Sequence, residues 1–175
     1  MNMLATLRAR REDDERGFTL IELMVVVLII AILIAIAIPT FLGARNRASD
    51  RAAQSNLRNA LTAAKTAFTD NDQYPANAGL PAALKTIEPS LDYKDDVTDV
   101  SLAANSGSHV VSVQTNAGLD TFVAAAYAKD SKTCFYIADV SPQGTFYNKT
   151  NGAACDASSA PAGLAATPPT WPTSW

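Results

Sequence analysis

The sequence predicts an α+β protein: one long N-terminal helix, half membrane span and half amphipathic, packed on a small antiparallel β-sheet. Three observations lead there. Residues 18–38, FTLIELMVVVLIIAILIAIAI, carry a single charge, Glu22, and as a helix they reach roughly 30 Å, the thickness of a bilayer's hydrocarbon core. Residues 44–69 then place Ala53, Leu57, Ala60, Leu61, Ala64, Ala67 and Phe68 three and four apart, which makes one apolar stripe on a helix. Finally, 109–115, 121–128, 134–140 and 145–150 are rich in β-branched and aromatic residues and are joined by turn formers such as NAGLD and SPQG, the pattern of an antiparallel meander.

The stretch before the apolar run, residues 1–17, balances Arg8, Arg10, Arg11 and Arg16 against Glu12, Asp13, Asp14 and Glu15. A secretory signal is cut after its apolar region, at small residues. No such site follows this run, which leads into IPTFLGARNR. The small residue at the polar-to-apolar junction is Gly17, ahead of the run. A cut there leaves the apolar segment as the N-terminus of the mature chain. Four arginines precede the segment, and Arg45, Arg47 and Arg51 follow it, so the positive-inside rule slightly favours a cytoplasmic N-terminus with the remaining domain outside.

Glu22 is the anomaly in this run. A carboxylate at the centre of a membrane helix costs about 3 kcal/mol, and the helix macrodipole offsets about 0.3–1 kcal/mol of that when the acid lies in the first turns. Ionisable groups inside a membrane are functional by default. Cleavage before Phe18 creates an α-ammonium group, a counter-charge that also needs a partner once buried. Further on, Pro39 lacks the N–H that would bond to Ala35, and Gly43 follows one turn later. Together they mark a helix break or weak point. The chain therefore divides into a leader (1–17), an apolar helix (18–43), a globular domain (44–156) and a tail (157–175).

The run GFTLIELMVVVLIIAILIAIAIP, residues 17–39, resembles the N-terminal motif of type IV pilins and the related pseudopilins of type II secretion systems. That resemblance implies cleavage between Gly17 and Phe18 by a prepilin peptidase, N-methylation of Phe18, and an assembly role for Glu22. The carboxylate would neutralise the Phe18 amine of a neighbouring subunit and so set register. It also implies that Pro39 is the family's helix-breaking proline, with Gly43 one turn later. The implied partners are other copies of the chain in a filament, the peptidase/methylase, and an assembly platform in the cytoplasmic membrane. The implied location is that membrane, as a single-pass protein with its C-terminal domain outside, and then a cell-surface pilus. A pseudopilin of a secretion or DNA-uptake system is the alternative, and YPANAGLPAAL, residues 74–84, is similar to the segment after the long helix in major pseudopilins. A tethered binding module is a third reading, from a different class.

The rest of the chain is read from its residues. DNDQYP, residues 70–75, ends the long helix, and the proline-bounded LPAALKTIEP, residues 80–89, suits a short helix. Asp92, Asp95, Asp96 and Asp99 crowd one loop, but calcium-loop spacing is absent and a solvated acidic loop is expected. Cys134 and Cys155 form an even pair in a domain placed outside the cytoplasm, which reads as a disulfide. The loop it closes, about twenty residues long, would contribute about 3 kcal/mol in the chain-entropy view. Residues 157–175 hold four prolines, no charge and both tryptophans, Trp171 and Trp175. That composition favours an extended tail whose indoles either dock on the sheet or meet an external surface.

No chemistry-bearing motif stands out. His109 is the sole histidine and lacks a neighbouring acid or cysteine, so a structural role is expected. Phosphate loops, zinc spacings and nucleophile motifs are absent from the sequence. No enzyme activity, cofactor or metal is expected. A net charge of −3 argues against a protein built to hold nucleic acid on a basic face, leaving nucleic acid at most an indirect partner.

Overall fold

The computed structural model of the chain describes residues 17–102, 105, 107–151, 154–161 and 171–175. The leader expected at 1–17 therefore lies outside the described residues except for Gly17. One 52-residue helix, α1 (Leu20–Asn71), is followed by a short α2 (Leu80–Ile87) and five strands. These are β1 (Asp92–Lys94), β2 (Val110–Thr115), β3 (Thr121–Ala128), β4 (Thr133–Val140) and β5 (Gly144–Asn151). The chain divides into two compact units, Met1–Gly43 and Ala44–Trp175.

In the first unit the helix is apolar on every side, and its large apolar side chains are exposed among the described residues. Side chains all round it are open, from Ile21 at 69% to Ile38 at 54% exposure. Its length and composition suffice to cross a membrane. Residues on both sides of Pro39 and Gly43 are helical, so the break expected there does not interrupt the helix. Pro39 supplies no N–H to the Ala35 carbonyl. The hydroxyl of the next residue, Thr40, donates to the carbonyls of Ala37 (2.9 Å) and Ile36 (3.3 Å), tying the turn at the proline to a side chain.

In the second unit the same helix is amphipathic. Ala53, Leu57, Ala60, Ala63, Ala64 and Ala67 are buried against the sheet. Facing them are Val111 and Val113 of β2, Phe122, Ala124 and Ala126 of β3, and Phe135 and Ile137 of β4. Alanines from both sides join one core here, with Leu57, Phe122 and Phe135 supplying its larger side chains. Asp72 ends the helix at φ 54°, the left-handed conformation that short polar residues tolerate after a C-terminus.

The sheet runs in sequence order, β1-β2-β3-β4-β5. The four long strands form the antiparallel meander expected, each within a residue or so of its expected bounds. β1 was not foreseen. Three residues of the acidic segment pair in parallel with β2, Asp92 opposite Val110 and Lys94 opposite Ser112.

Both faces of the sheet are buried. On the face away from α1, Val123, Ala125, Cys134, Tyr136 and Ala138 form a second core with Val100, Cys155, Ala157 and Trp171. The Cys134–Cys155 disulfide, with its Cα atoms 5.5 Å apart, lies in this layer. The loop between β1 and β2 is fastened there as well. Asp99 accepts from the backbone N–H of Ser101 (2.8 Å) and Cys155 (2.9 Å). Burial pushes the Asp99 carboxyl up, but these donors outweigh it and hold it below the usual carboxylate range.

In the described end of the tail, residues 171–175, the indoles dock on the sheet, one of the two outcomes expected. Trp171 is buried against Tyr136 on the outer face, ring centroids 6.3 Å apart. The Tyr147 N–H donates to the Pro172 carbonyl at 2.9 Å, on the free edge of β5. Trp175 reaches the helix side, meeting Tyr147 at 4.5 Å and Phe135 at 5.8 Å, both edge-on. The Arg58 guanidinium of α1 sits over its ring at 5.1 Å. Residues 171–175 thus strap the edge strand, a position otherwise open to another chain's backbone.

Candidate functional site

The candidate site is the start of α1, built from residues 17–22. Gly17, Phe18 and Thr19 precede the first helical residue, Leu20. Nothing lies within 4 Å of where a side chain would begin on Gly17, and Phe18 is 90% exposed. Among the described residues nothing covers the Gly17–Phe18 peptide bond, and it precedes the first helical residue.

Helix onset is governed by Thr19 and Glu22. The Thr19 hydroxyl accepts from the Glu22 N–H at 3.2 Å, and Glu22 Oε2 accepts from the Thr19 N–H at 2.9 Å. The Thr19 hydroxyl also donates to Oε2 at 2.8 Å. This is a capping box, Thr-x-x-Glu, in which two N–H groups that no helical carbonyl can reach satisfy each other's side chains. The negative end of Glu22 lies at the positive end of the helix macrodipole. Thr19 was not singled out from the sequence, although the TLIE spacing carries the signal. Glu22 thus has a local partner already, and only Oε2 is engaged in it.

The other residues singled out are dispersed. Cys134 and Cys155 are joined on the sheet's outer face, and Pro39 and Gly43 are helical. Of the acidic loop, Asp92 pairs with Lys94 (3.0 Å) and Asp99 is taken up by backbone N–H groups. Among the described residues no three acidic, histidine or cysteine side chains are grouped as a metal requires. His109 is exposed, and its carbonyl accepts from the Asp92 N–H at 2.8 Å.

The most elaborate buried polar cluster was also missed. Asp139, on the helix side of β4, accepts from the Tyr74 hydroxyl (2.6 Å) and the Thr145 hydroxyl (2.6 Å). It also pairs with Lys65 of α1 at 2.9 Å. Burial pushes its carboxyl up. The three hydrogen bonds and the lysine charge prevail, so it stays below the ordinary carboxylate range. Burial and the adjacent anion push the Tyr74 phenol far up. The cluster joins helix, connection, β4 and β5, and Lys65, Tyr74 and Asp139 also line a pocket between the helix and the β4–β5 turn.

Residues 13–38 match the family model described as the prokaryotic N-terminal methylation motif. The chain is similar to the type IV major pilin protein PilA of Myxococcus xanthus, 52% identical over 59 residues, 34% of this chain and 27% of that protein. It is also similar to the type IV wide pilus major component PilA4 of Thermus thermophilus, 39% identical over 93 residues, 52% of this chain and 68% of that protein. The chain belongs to the type IV pilin and pseudopilin family. A pseudopilin-side relative is the type II secretion system core protein G of Escherichia coli, 39% identical over 80 residues, 43% of this chain and 53% of that protein. The chain thus spans about a quarter of the Myxococcus pilin and about half of the Escherichia protein.

Members of this family are structural subunits, and the pilin fold is present here in its expected parts, an apolar helix and an α+β domain. The matched residues enclose the capping box and the open Gly17–Phe18 bond.

Proposed function

We propose that this pilin-family chain is a structural subunit of a type IV pilus-like filament. It is matured by cleavage between Gly17 and Phe18 and N-methylation of Phe18, and it polymerises through its N-terminal helix. The observation that carries this is a helix of apolar side chains, exposed among the described residues, that begins just after an open Gly17–Phe18 bond. Such a surface is satisfied by lipid first and by neighbouring helices afterwards.

Cleavage places an ammonium group on Phe18, one residue from the capping box. In a dry bundle of helices that cation needs a carboxylate. Glu22 is the one acid in residues 18–43, and among the described residues its Oε1 has no hydrogen-bond partner. The Phe18 amine of a neighbouring subunit occupies that oxygen, so subunits slipped along the filament leave two charges unpaired. Pro39 and Gly43 supply the weak point at which the helix unwinds when the filament is stretched. Before assembly the subunit waits in the cytoplasmic membrane with its domain outside.

The similarity to the type II secretion core protein G favours a second reading, a short pseudopilus made by the same chemistry. Filament length separates the two. The test of the first is electron microscopy of producing cells beside immunoblots of their membranes, for the unaltered chain and for Gly17→Val. Filaments on the surface are expected from the unaltered chain, and a longer, uncut species without filaments from the variant. Equal filaments from both would refute the cut site.

A further inference from the structure

We propose that the exposed arginine flank of α1 between Arg47 and Arg58 is a docking surface for a second copy of this chain, which meets it with Asp95 and Asp96. The inference rests on the filament reading and adds a contact between the globular domains. Arg47, Arg51, Gln54 and Arg58 are spaced four, three and four apart, which aligns them along one side of the helix. The side packed on the sheet belongs to Ala53, Leu57, Ala60 and Ala64.

Charge on this half of the helix is one-sided. Residues 44–69 hold five cations and one carboxylate, Asp50, and Asp50 is occupied by the Ser131 hydroxyl. Arg45 is paired with Asp130 at 3.0 Å. Arg47, Arg51 and Arg58 have no ion pair among the described residues and are exposed. Trp175 under the Arg58 guanidinium holds that charge in place.

Residues 70–175 have the opposite character, eleven carboxylates against five lysines. Most of the acids near β1 are satisfied within the chain, Asp92 by Lys94 and Asp99 by backbone N–H groups. Asp95 receives only the Thr98 hydroxyl, and Asp96 has no side-chain partner among the described residues. This loop is fastened to the outer face of the sheet, through the Ser112 hydroxyl donating to the Asp95 carbonyl (2.7 Å) and through Val100 in the outer core. The arginine row lies on the flank of α1 toward β4 and β5, where Arg58 meets Trp175, at the edge of the sheet opposite β1.

Basic and acidic surfaces on opposite sides of one domain cannot neutralise each other within a chain. They fit between copies in a head-to-tail contact, the kind that propagates instead of closing into a pair. Complementary charge also steers encounter and rejects wrong registers.

The experiment is a charge exchange in the full-length chain in producing cells. It compares Arg47→Glu/Arg51→Glu, Asp95→Lys/Asp96→Lys and all four changes together. Each pair should lower the yield of sheared filaments by at least about tenfold through like-charge contact, and the fourfold variant should recover to within about threefold of the unaltered chain. The membrane pool of disulfide-bonded chain, equal in all four strains, controls for folding. Full yield from the arginine variant, or no recovery in the fourfold variant, overturns the proposal. So does an arginine variant that keeps its filaments and loses binding to DNA or to anionic vesicles, which would assign the face to those ligands. A second readout does not need filaments. Chains with Arg51→Cys and Asp96→Cys should form a disulfide-linked dimer only when co-expressed. If the unaltered chain makes no filaments the functional reading fails, and presence or absence of that dimer decides the docking by itself.

Discussion

Replacing Glu22 by glutamine separates the helix cap seen in the structure from the proposed pairing with the Phe18 amine of a neighbouring subunit. Glutamine can still accept from the Thr19 N–H and hydroxyl, now held at 2.9 and 2.8 Å, since Thr-x-x-Gln is also a capping box. What it cannot do is neutralise the Phe18 amine of a neighbour. Thr19→Val does the reverse, removing the hydroxyl that accepts from the Glu22 N–H at 3.2 Å and leaving the carboxylate. Loss of a cap costs about 1 kcal/mol, so Thr19→Val should lower filament yield by about fivefold or less. Leaving a buried charge unpaired costs about 3–5 kcal/mol, so Glu22→Gln should lower it by more than about a hundredfold. The assay is sheared filament protein, quantified by immunoblot against the processed pool in the membrane, which both variants should fill normally. Near-normal filaments from Glu22→Gln, with loss in Thr19→Val, would refute the charge argument and make Glu22 a helix cap only.

Three further outcomes follow from the domain. Asp139 has a native pKa below its unfolded value. Its contribution is therefore present above the unfolded carboxylate pKa and is lost as pH falls through the native one. Thermal unfolding of the full chain in detergent should show acid destabilisation below about pH 4, and Asp139→Asn should flatten that slope. At neutral pH Asp139→Ala should cost about 2–3 kcal/mol, because buried donors from Tyr74 and Thr145 lose their acceptor. Cys134→Ala/Cys155→Ala should lower stability by about 3 kcal/mol, the closure entropy of a loop of this length, read from denaturant midpoints. Trp171→Ala, at a position 7% exposed, should cost about 3–5 kcal/mol and open the Tyr136 face to limited proteolysis. An unchanged cleavage pattern would mean that the strap does not hold.

Much of this architecture was legible because its signals are local and periodic. The apolar run, the alanine-rich stripe from Ala53 to Ala67 and the four meander strands each announce themselves within their own residues. β1 did not, because Asp92, Tyr93 and Lys94 look like a solvated loop, and only pairing with Val110–Ser112 makes them a strand. The outer core was hidden for a related reason. β3 and β4 are apolar at both parities, TFVAAAYA and TCFYIADV, and a strand pattern cannot say that a loop and a tryptophan cover the second face. Residues 171–175 lack any periodicity, and their order comes from what they touch, the β5 edge and Arg58. At the site, Glu22 drew notice as a charge in a run of hydrocarbon. Its partner Thr19 passed unnoticed because a capping signal is subtle beside so strong an apolar one.

The most direct test of the central claim is intact mass spectrometry on protein sheared from producing cells, beside the protein left in their membranes. The account predicts a sheared species that begins at Phe18, carries one added methyl group and lacks the two hydrogens of Cys134 and Cys155. A processed species confined to the membrane would favour the short pseudopilus. A chain that retains residues 1–17 in every fraction would contradict the account, because Phe18 would never acquire the charge that Glu22 is placed to meet.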